Sequence, residues 1–302
     1  MKSSVTVAGN RARGWLGPGW KQGCSILVVP DVHYPVHDWR AVDLLLQVAA
    51  EYRFDAVVQL GDLLDLEALG RWTAHAPRQV EGDRLVGDII LASEFLGKLL
   101  KASRVKNEQC RGYLLEGNHE YRIERLLDST PYLEGIINLA ELLKPKELGF
   151  EFLRVHDEQG ILRFDWTPKG IRPRYLRRTD WASGLGVAFT HGWYCNVHAA
   201  KQHCDRYGRG PIIFGHTHRV QQYVAHSYGH PKPMAATIGH LRLADPSWMQ
   251  GPLSWQLAFA IATMGAETGV WDLEIVRINR DERGDYHCIA RGKQYTVAAG
   301  RT

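Results

Sequence analysis

Five short apolar runs in this 302-residue chain end in polar residues of the same few kinds, and that repetition limits what the chain can fold into. "SILVVP" (25–30) leads into Asp31, Val32 and His33. "DAVVQL" (55–60) leads into Gly61 and Asp62, with Asp65 close behind. "RGYLL" (111–115) leads into Glu116, Gly117, Asn118, His119 and Glu120. "GVAFT" leads into His191, and "PIIFG" into His216, Thr217 and His218. By length and by their Val and Ile content these runs read as buried strands. In open α/β sheets, ligands bind at the carboxyl ends of strands. Five strand ends therefore deliver Asp, His and Asn to one edge.

Helical spacing fills the intervals. It covers "WRAVDLLLQVAAEY" (39–52), residues 84–101 with Leu85, Ile89, Leu96 and Leu100 near one face, "RIERLLDS", and "NVHAAKQHCDRYG". Beyond residue 218 the pattern changes to strands joined by turns: "MAATIGHL", "WDLEIVRIN", "YHCIA" and "KQYTV". Strand–helix alternation followed by a run of strands predicts an α/β fold, a two-sheet β-sandwich flanked by helices. One domain is expected over residues 25–292, with an insertion around 126–185. An irregular, basic, Gly-rich arm (1–24) carrying Trp15 and Trp20 precedes it, and a C-terminal tail (293–302) follows.

Bulk properties exclude several classes. The chain is 45% hydrophobic, enough for a large core. A net charge of +4 does not by itself argue for nucleic acid or a membrane. Cys24, Cys110, Cys195, Cys204 and Cys288 form no C-x-x-C pair and read as reduced thiols. The N-terminus has no apolar core of signal-peptide length, and "LAFAIATMGA" is too short to span a bilayer. The expectation is a soluble cytoplasmic protein with no membrane partner. The sequence leaves the oligomeric state open.

Asp31 and His33 are two apart, as are His216 and His218. In extended chain, residues i and i+2 point the same way, so each pair is expected to offer two side chains to one small volume. Imidazole, carboxylate and amide oxygen suit manganese, iron, zinc or nickel. Asp31, His33, Asp62, Asn118, His191, His216 and His218 are too many for one tetrahedral ion. They suit two ions roughly 3.5–4 Å apart sharing a carboxylate. Each piece alone has an ordinary explanation, since Asp62 and Asp65 can cap a helix and Asn118 can sit in a turn. It is their joint order that is hard to reach by chance.

"DVH", "GDLLD", "GNHE", a lone His and "GHTH" together resemble the calcineurin-like metallophosphoesterases, over roughly residues 25–220. The resemblance implies the family's four-layer sandwich and a binuclear site. It places Asp31, His33, Asp62 and His218 on one metal, and Asp62, Asn118, His191 and His216 on the other. It makes His119 the acid near the leaving group, oriented by Asp65. It implies two divalent ions, with manganese the choice for an assay, and a metal-bridging hydroxide as nucleophile. The two metal charges exceed those of Asp31 and Asp62, so the site attracts phosphate. Ser/Thr protein phosphatases have Arg-Gly after the second Asp of the "GD" motif and Gly after Asp-x-His. Here Leu66-Glu67 and Tyr34 stand in those places, and the motifs look more like the small phage and prophage branch.

The expected activity is phosphoester hydrolysis, leaning to a phosphodiesterase or nuclease, with single-stranded nucleic acid as a candidate partner. The alternatives are a phosphomonoesterase and a non-catalytic scaffold. "KGIRPRYLRR" (169–178) carries Arg174, Arg177 and Arg178. It reads either as a loop holding flanking phosphates or as solvated surface. Arg122 is placed either on the substrate phosphate or on a helix carboxylate. Trp72 either lines the cleft rim or packs on the next helix.

Overall fold

The computed structural model describes residues 19–70, 73, 77–154, 160–177, 185–207, 210–225, 234–243 and 254–300. Trp15, Trp72 and Arg178 lie outside them. The first half alternates: β1 (Cys24–Val29), α1 (Trp39–Glu51), β2 (Ala56–Gln59), α2 (Leu85–Ser103) and β3 (Arg111–Leu115). Then come α3 (Arg122–Ser129), α4 (Leu139–Leu143), β4 (Phe150–Leu153), β5 (Ile161–Thr167), β6 (Gly170–Leu176) and β7 (Gly186–Thr190). The rest is α5 (Ala199–Tyr207), β8 (Pro211–Phe214), β9 (Val220–Val224), β10 (Met234–Ile238), β11 (Ala258–Met264), β12 (Trp271–Arg280), β13 (Tyr286–Ala290) and β14 (Lys293–Val297).

Two sheets result, one of eight strands in the order β14-β13-β12-β11-β1-β2-β3-β4 and one of six in the order β6-β5-β7-β8-β10-β9. β1, β2, β3 and β4 run parallel, as do β7, β8 and β10. Along β1 the side chains split between two cores. Ile26 and Val28 pack between the sheets with Val58, Tyr113, Phe164, Phe189 and Ile213. Leu27 and Val29 pack outward against Leu44, Leu45 and Val48 of α1 and Phe95, Leu96 and Leu99 of α2. Burial on both faces explains why these strands read as continuous apolar runs. α5 covers the outer face of the other sheet through Ala199, Ala200 and Cys204. The result is the expected helix–sheet–sheet–helix sandwich. α1 starts at Asp38, whose carboxylate accepts the Arg40 N–H at 3.0 Å, and it buries Ala41, Val42, Leu44, Leu45, Val48 and Ala49 on one face.

Two expectations are corrected. The presumed tail contains β14, which pairs with β13 along its length, so the domain runs past residue 292. "KGIRPRYLRR" is mostly not a loop: Gly170–Leu176 is strand β6, paired with β5. Within the arm, Trp20 exchanges two 2.7 Å hydrogen bonds with Ile171 and stacks on Phe164. Among the described residues, no helix is long and apolar enough to cross a membrane.

Candidate metal centre

β1, β2 and β3 of one sheet and β7, β8 and β10 of the other point their carboxyl ends at the same edge of the sandwich. The loops leaving β1 and β2 are tied together. Val32 and His33 both donate backbone N–H groups to the Asp62 carbonyl at 3.0 Å, and Tyr34 donates to Leu63 at 2.8 Å. The pairs are not presented by extended chain, as the spacing argument expected. His33, Asp62, His216 and His218 all have left-handed backbone, with φ of 58°, 49°, 68° and 57°. Such conformations are costly for residues other than glycine and cluster at functional sites. Sharp turns, rather than strand pleat, aim these side chains.

The donor atoms converge in overlapping groups. Asp31, His33 and His218 form one, and Asp62, His191 and His216 another, with the ligand atoms of each group within 4.8 Å of one another. His33 Nε2 and His218 Nε2 are 3.0 Å apart, and His218 Nε2 is 3.2 Å from Asp31 Oδ2. His191 Nε2 lies 2.8 Å from Asn118 Oδ1 and 3.3 Å from Asp62 Oδ2. The same Asp62 oxygen is 3.9 Å from His33 Nε2, so this carboxylate faces both groups. All seven sequence-predicted donors meet here.

The family model of calcineurin-like phosphoesterases matches residues 24–220. The chain belongs to that family. A "Gene 54 protein" of Mycobacterium phage L5 is 24% identical over 272 residues, covering 80% of this chain and 89% of the relative. A "Gene 54 protein" of Mycobacterium phage D29 is 24% identical over 253 residues, covering 79% and 88%. These relatives agree with the phage-type character of the motifs. Among solved structures, Chaetomium thermophilum Vps29 covers 93% of this chain and all of its own, with a TM-score of 0.45 and 10% identity.

The donor chemistry of this family member fits two divalent ions. The remaining atoms of the ligand side chains are fixed so that the right atoms face inward. The Asp65 carboxylate lies 2.8 Å from His33 Nδ1 and accepts its proton, leaving the Nε2 lone pair for a metal. The Leu60 carbonyl, 3.1 Å from His191 Nδ1, does the same for His191. Burial pushes His33 and His216 down to about 4, so both are neutral and able to ligate at pH 7. Burial disfavours a charged Asp31, but the hydrogen bond to His218 and nearby imidazoles outweigh it and hold it below the usual range. Burial also opposes the ionisation of Asp62, and His191 and His119 overcome it more strongly. His191 differs from His33 and His216. Burial works against its charge, yet the Asp62 carboxylate pushes it up to about 9.

Close backbone approach explains two motif glycines. A Cβ on Gly117 would sit 2.2 Å from Asp62 N, and one on Gly215 would sit 2.1 Å from Asp31 Oδ1. With no side chain at Gly215, Asp31 can accept the His216 N–H at 2.8 Å.

His119 stands at the edge of the group formed by His33 and Asp62, its Nε2 3.8 Å from Asp62 Oδ2. Asp65 contacts it differently from the family expectation. The Asp65 carbonyl oxygen lies 2.5 Å from His119 Nδ1, while its carboxylate is 3.9 Å away and serves His33. Arg122 donates to the carbonyls of Asp65 and Leu66 at 2.9 and 3.0 Å, lies 3.0 Å from His119 Nε2, and pairs with Glu67 at 3.5 Å. It braces His119 against the "GDLLD" turn. Arg174 is not brought to the ligands. It lies mid-strand on β6, with β5 between it and β7, and its Nε is 2.5 Å from Asp165. Arg177 follows Leu176, level with the start of β5, at the ligand-bearing end of the sheet.

Sequence reasoning missed a second layer. Glu120 is buried, and its carboxylate accepts backbone N–H groups from Asp62, Leu64 and Gly117 at 2.9, 2.8 and 2.9 Å. Burial and the Asp62 charge push it up to about 8. It latches the "GDLL" turn to the "GNHE" turn. The loop after β10 supplies His240, whose ring stacks on His218 with centroids 5.0 Å apart, and Arg242, which lies 3.8 Å from Asp65. Its signal was present in "ATIGHLR", a sixth apolar run ending in Gly-His.

Proposed function

We propose that this protein hydrolyses phosphoesters at the shared Asp62 centre, with phosphodiesters of nucleotides or nucleic acid as its preferred substrates. The observation that carries the proposal is the convergence of Asp31, His33, Asp62, Asn118, His191, His216 and His218 on one volume, with Asp62 facing both groups. Asp31, His33, Asp62 and His218 would hold one ion, and Asp62, Asn118, His191 and His216 the other. Bound there, two divalent ions supply Lewis acidity toward phosphoryl oxygens and lower the pKa of water. The chain's own contribution is placement. Asp65 and the Leu60 carbonyl fix the ring orientations of His33 and His191. Glu120 fixes the spacing of Asp62 and Asn118. His119, braced by Arg122, is the group to protonate the departing oxygen at its Nε2. For that step Arg122 must release this nitrogen.

The test is turnover with added Mn(II) on bis-p-nitrophenyl phosphate, p-nitrophenyl phosphate, single-stranded DNA and single-stranded RNA. Faster hydrolysis of the diesters supports the proposal. Preference for the monoester makes the protein a phosphomonoesterase. Metal binding without turnover on any of the four makes it a scaffold.

A further inference from the structure

A cleft of about 450 Å³ lies directly beside the metal ligands, within the size range of small-molecule sites. It is lined by Val197, Arg219, Val220, Gln221, Trp255 and Gln256. Its walls are tied to the centre. Arg219 follows the ligand His218 in sequence, and the Trp255 ring meets the His218 imidazole edge-on with centroids 4.3 Å apart. Gln256 donates its backbone N–H to the His218 carbonyl at 2.9 Å, and its side-chain oxygen accepts the Val220 N–H at 2.8 Å. Gln256 therefore ties the cleft to the His218 turn through its backbone and to β9 through its side chain.

Two of its polar groups lack a counterpart. Arg219 Nε and Gln221 Oε1 are buried without hydrogen-bond partners, and Arg219 makes no ion pair among the described residues. Buried polar atoms are ordinarily satisfied, so two orphans in one cleft call for a ligand that supplies an anion and a donor. The indole adds a flat stacking surface and the valines an apolar floor. An anionic group, a planar ring and a ring-edge N–H occur together in a nucleotide. A second cleft of about 490 Å³ opens between β9 and Arg277, Asn279 and Gln294; it shares Val220 and Gln221 with the first, but neither Arg219 nor Trp255 lines it.

We propose, on the basis of the phosphoesterase function above, that this cleft is the subsite for the nucleoside flanking the scissile phosphate. The base lies against Trp255, its edge donates to Gln221, and Arg219 faces the adjoining phosphate. Stacking is sequence-tolerant and a single amide oxygen accepts from any base-edge N–H, so the site selects a nucleotide rather than one base.

The experiment compares two esters with the same leaving group in the Mn(II)-loaded full chain: thymidine 5′-p-nitrophenyl phosphate and methyl p-nitrophenyl phosphate. The quantity read is the ratio of their kcat/KM values, for the wild type and for Trp255→Ala, Gln221→Leu, Arg219→Ala and Arg219→Lys. The wild-type ratio favours the nucleoside ester. Trp255→Ala lowers it by roughly 5- to 100-fold, the range for losing one stacked base. Gln221→Leu lowers it less, while Arg219→Ala and Arg219→Lys, whose phosphate contact does not differ between the two esters, leave it unchanged and serve as controls. A ratio unchanged in Trp255→Ala and Gln221→Leu overturns the subsite, as does an equal loss on both esters in those two variants. Thymidine 5′-monophosphate and ribose 5-phosphate binding, by calorimetry on the same proteins, separates the two proposals. No turnover on either ester, with base-dependent binding lost in Trp255→Ala, leaves the subsite standing and removes the phosphoesterase function. Equal affinity for the two monophosphates overturns the subsite even if both esters are cleaved.

Discussion

Replacing Glu120 tests whether the centre is held by the latch between its two turns. In Glu120→Ala the backbone N–H groups of Asp62, Leu64 and Gly117 lose their acceptor, at 2.9, 2.8 and 2.9 Å. A buried donor left without an acceptor costs about 1–3 kcal/mol, and water entering the vacated space recovers part, so the expected net loss over the three is about 3–5 kcal/mol. For a chain of this size that lowers the melting temperature by roughly 5–10 °C. Glu120→Gln keeps one carbonyl oxygen but turns an amide toward N–H donors, so it should recover only part of the stability. The assay is thermal unfolding of the metal-free protein, followed by titration with Mn(II). Asp62 and Asn118 lose their fixed spacing in the variant, so metal affinity falls alongside stability. A melting temperature within about 2 °C of wild type, with metal binding intact, refutes the latch.

Asp62→Asn should abolish turnover and cost at least one metal equivalent by elemental analysis; full occupancy with near-normal rates would remove its shared position. His119→Ala should retain both metals yet slow turnover by roughly 10²–10⁴-fold, with a smaller loss for esters of acidic leaving groups. An equal loss for good and poor leaving groups would end its role as acid. The His191 pKa, raised from 6.5 to about 9, has two consequences of opposite sign. In the metal-free protein the stabilising proton on His191 is fully in place below pH 6.5, and its contribution is lost as pH rises toward 9. Ligation needs the neutral ring, so Mn(II) affinity should climb by about tenfold per pH unit over that window. A flat affinity between pH 6.5 and 8.5 would show that His191 carries no such proton.

Much of this was legible in the sequence because a strand buried on both faces leaves a continuous apolar run, and the residue after it is by necessity at the sheet's edge. β1, β2, β3, β7 and β8 were legible for that reason, and their seven donors with them. β5 was hidden because Arg163 and Asp165 alternate with Leu162, Phe164 and Trp166, and the two charged residues are buried beside Arg174. β9 was hidden because "VQQYV" is a polar edge strand. Short-range spacing also misled, since Asp31 and His33 are aimed by a left-handed turn that no two-residue periodicity encodes. The Arg122 brace and the Glu120 latch needed three-dimensional closure between turns 56 to 58 residues apart in sequence.

The origin of the donors has a consequence for the lifetime of the molecule. Asp31, His33, Asp62 and Asn118 follow strands of the eight-stranded sheet, whereas His191, His216 and His218 follow strands of the six-stranded one. Each sheet keeps its own hydrogen-bonded ladders, while between the layers it is mainly apolar packing that resists separation. Ions bound at the shared edge would clamp the two layers together. At a free metal concentration a hundredfold above the dissociation constant, that clamp is worth about 2.7 kcal/mol of resistance to unfolding. In a metal-starved cell the layers would part first at this edge, exposing the motif turns to proteases. Metal supply would then set how long each molecule survives as well as how fast it works.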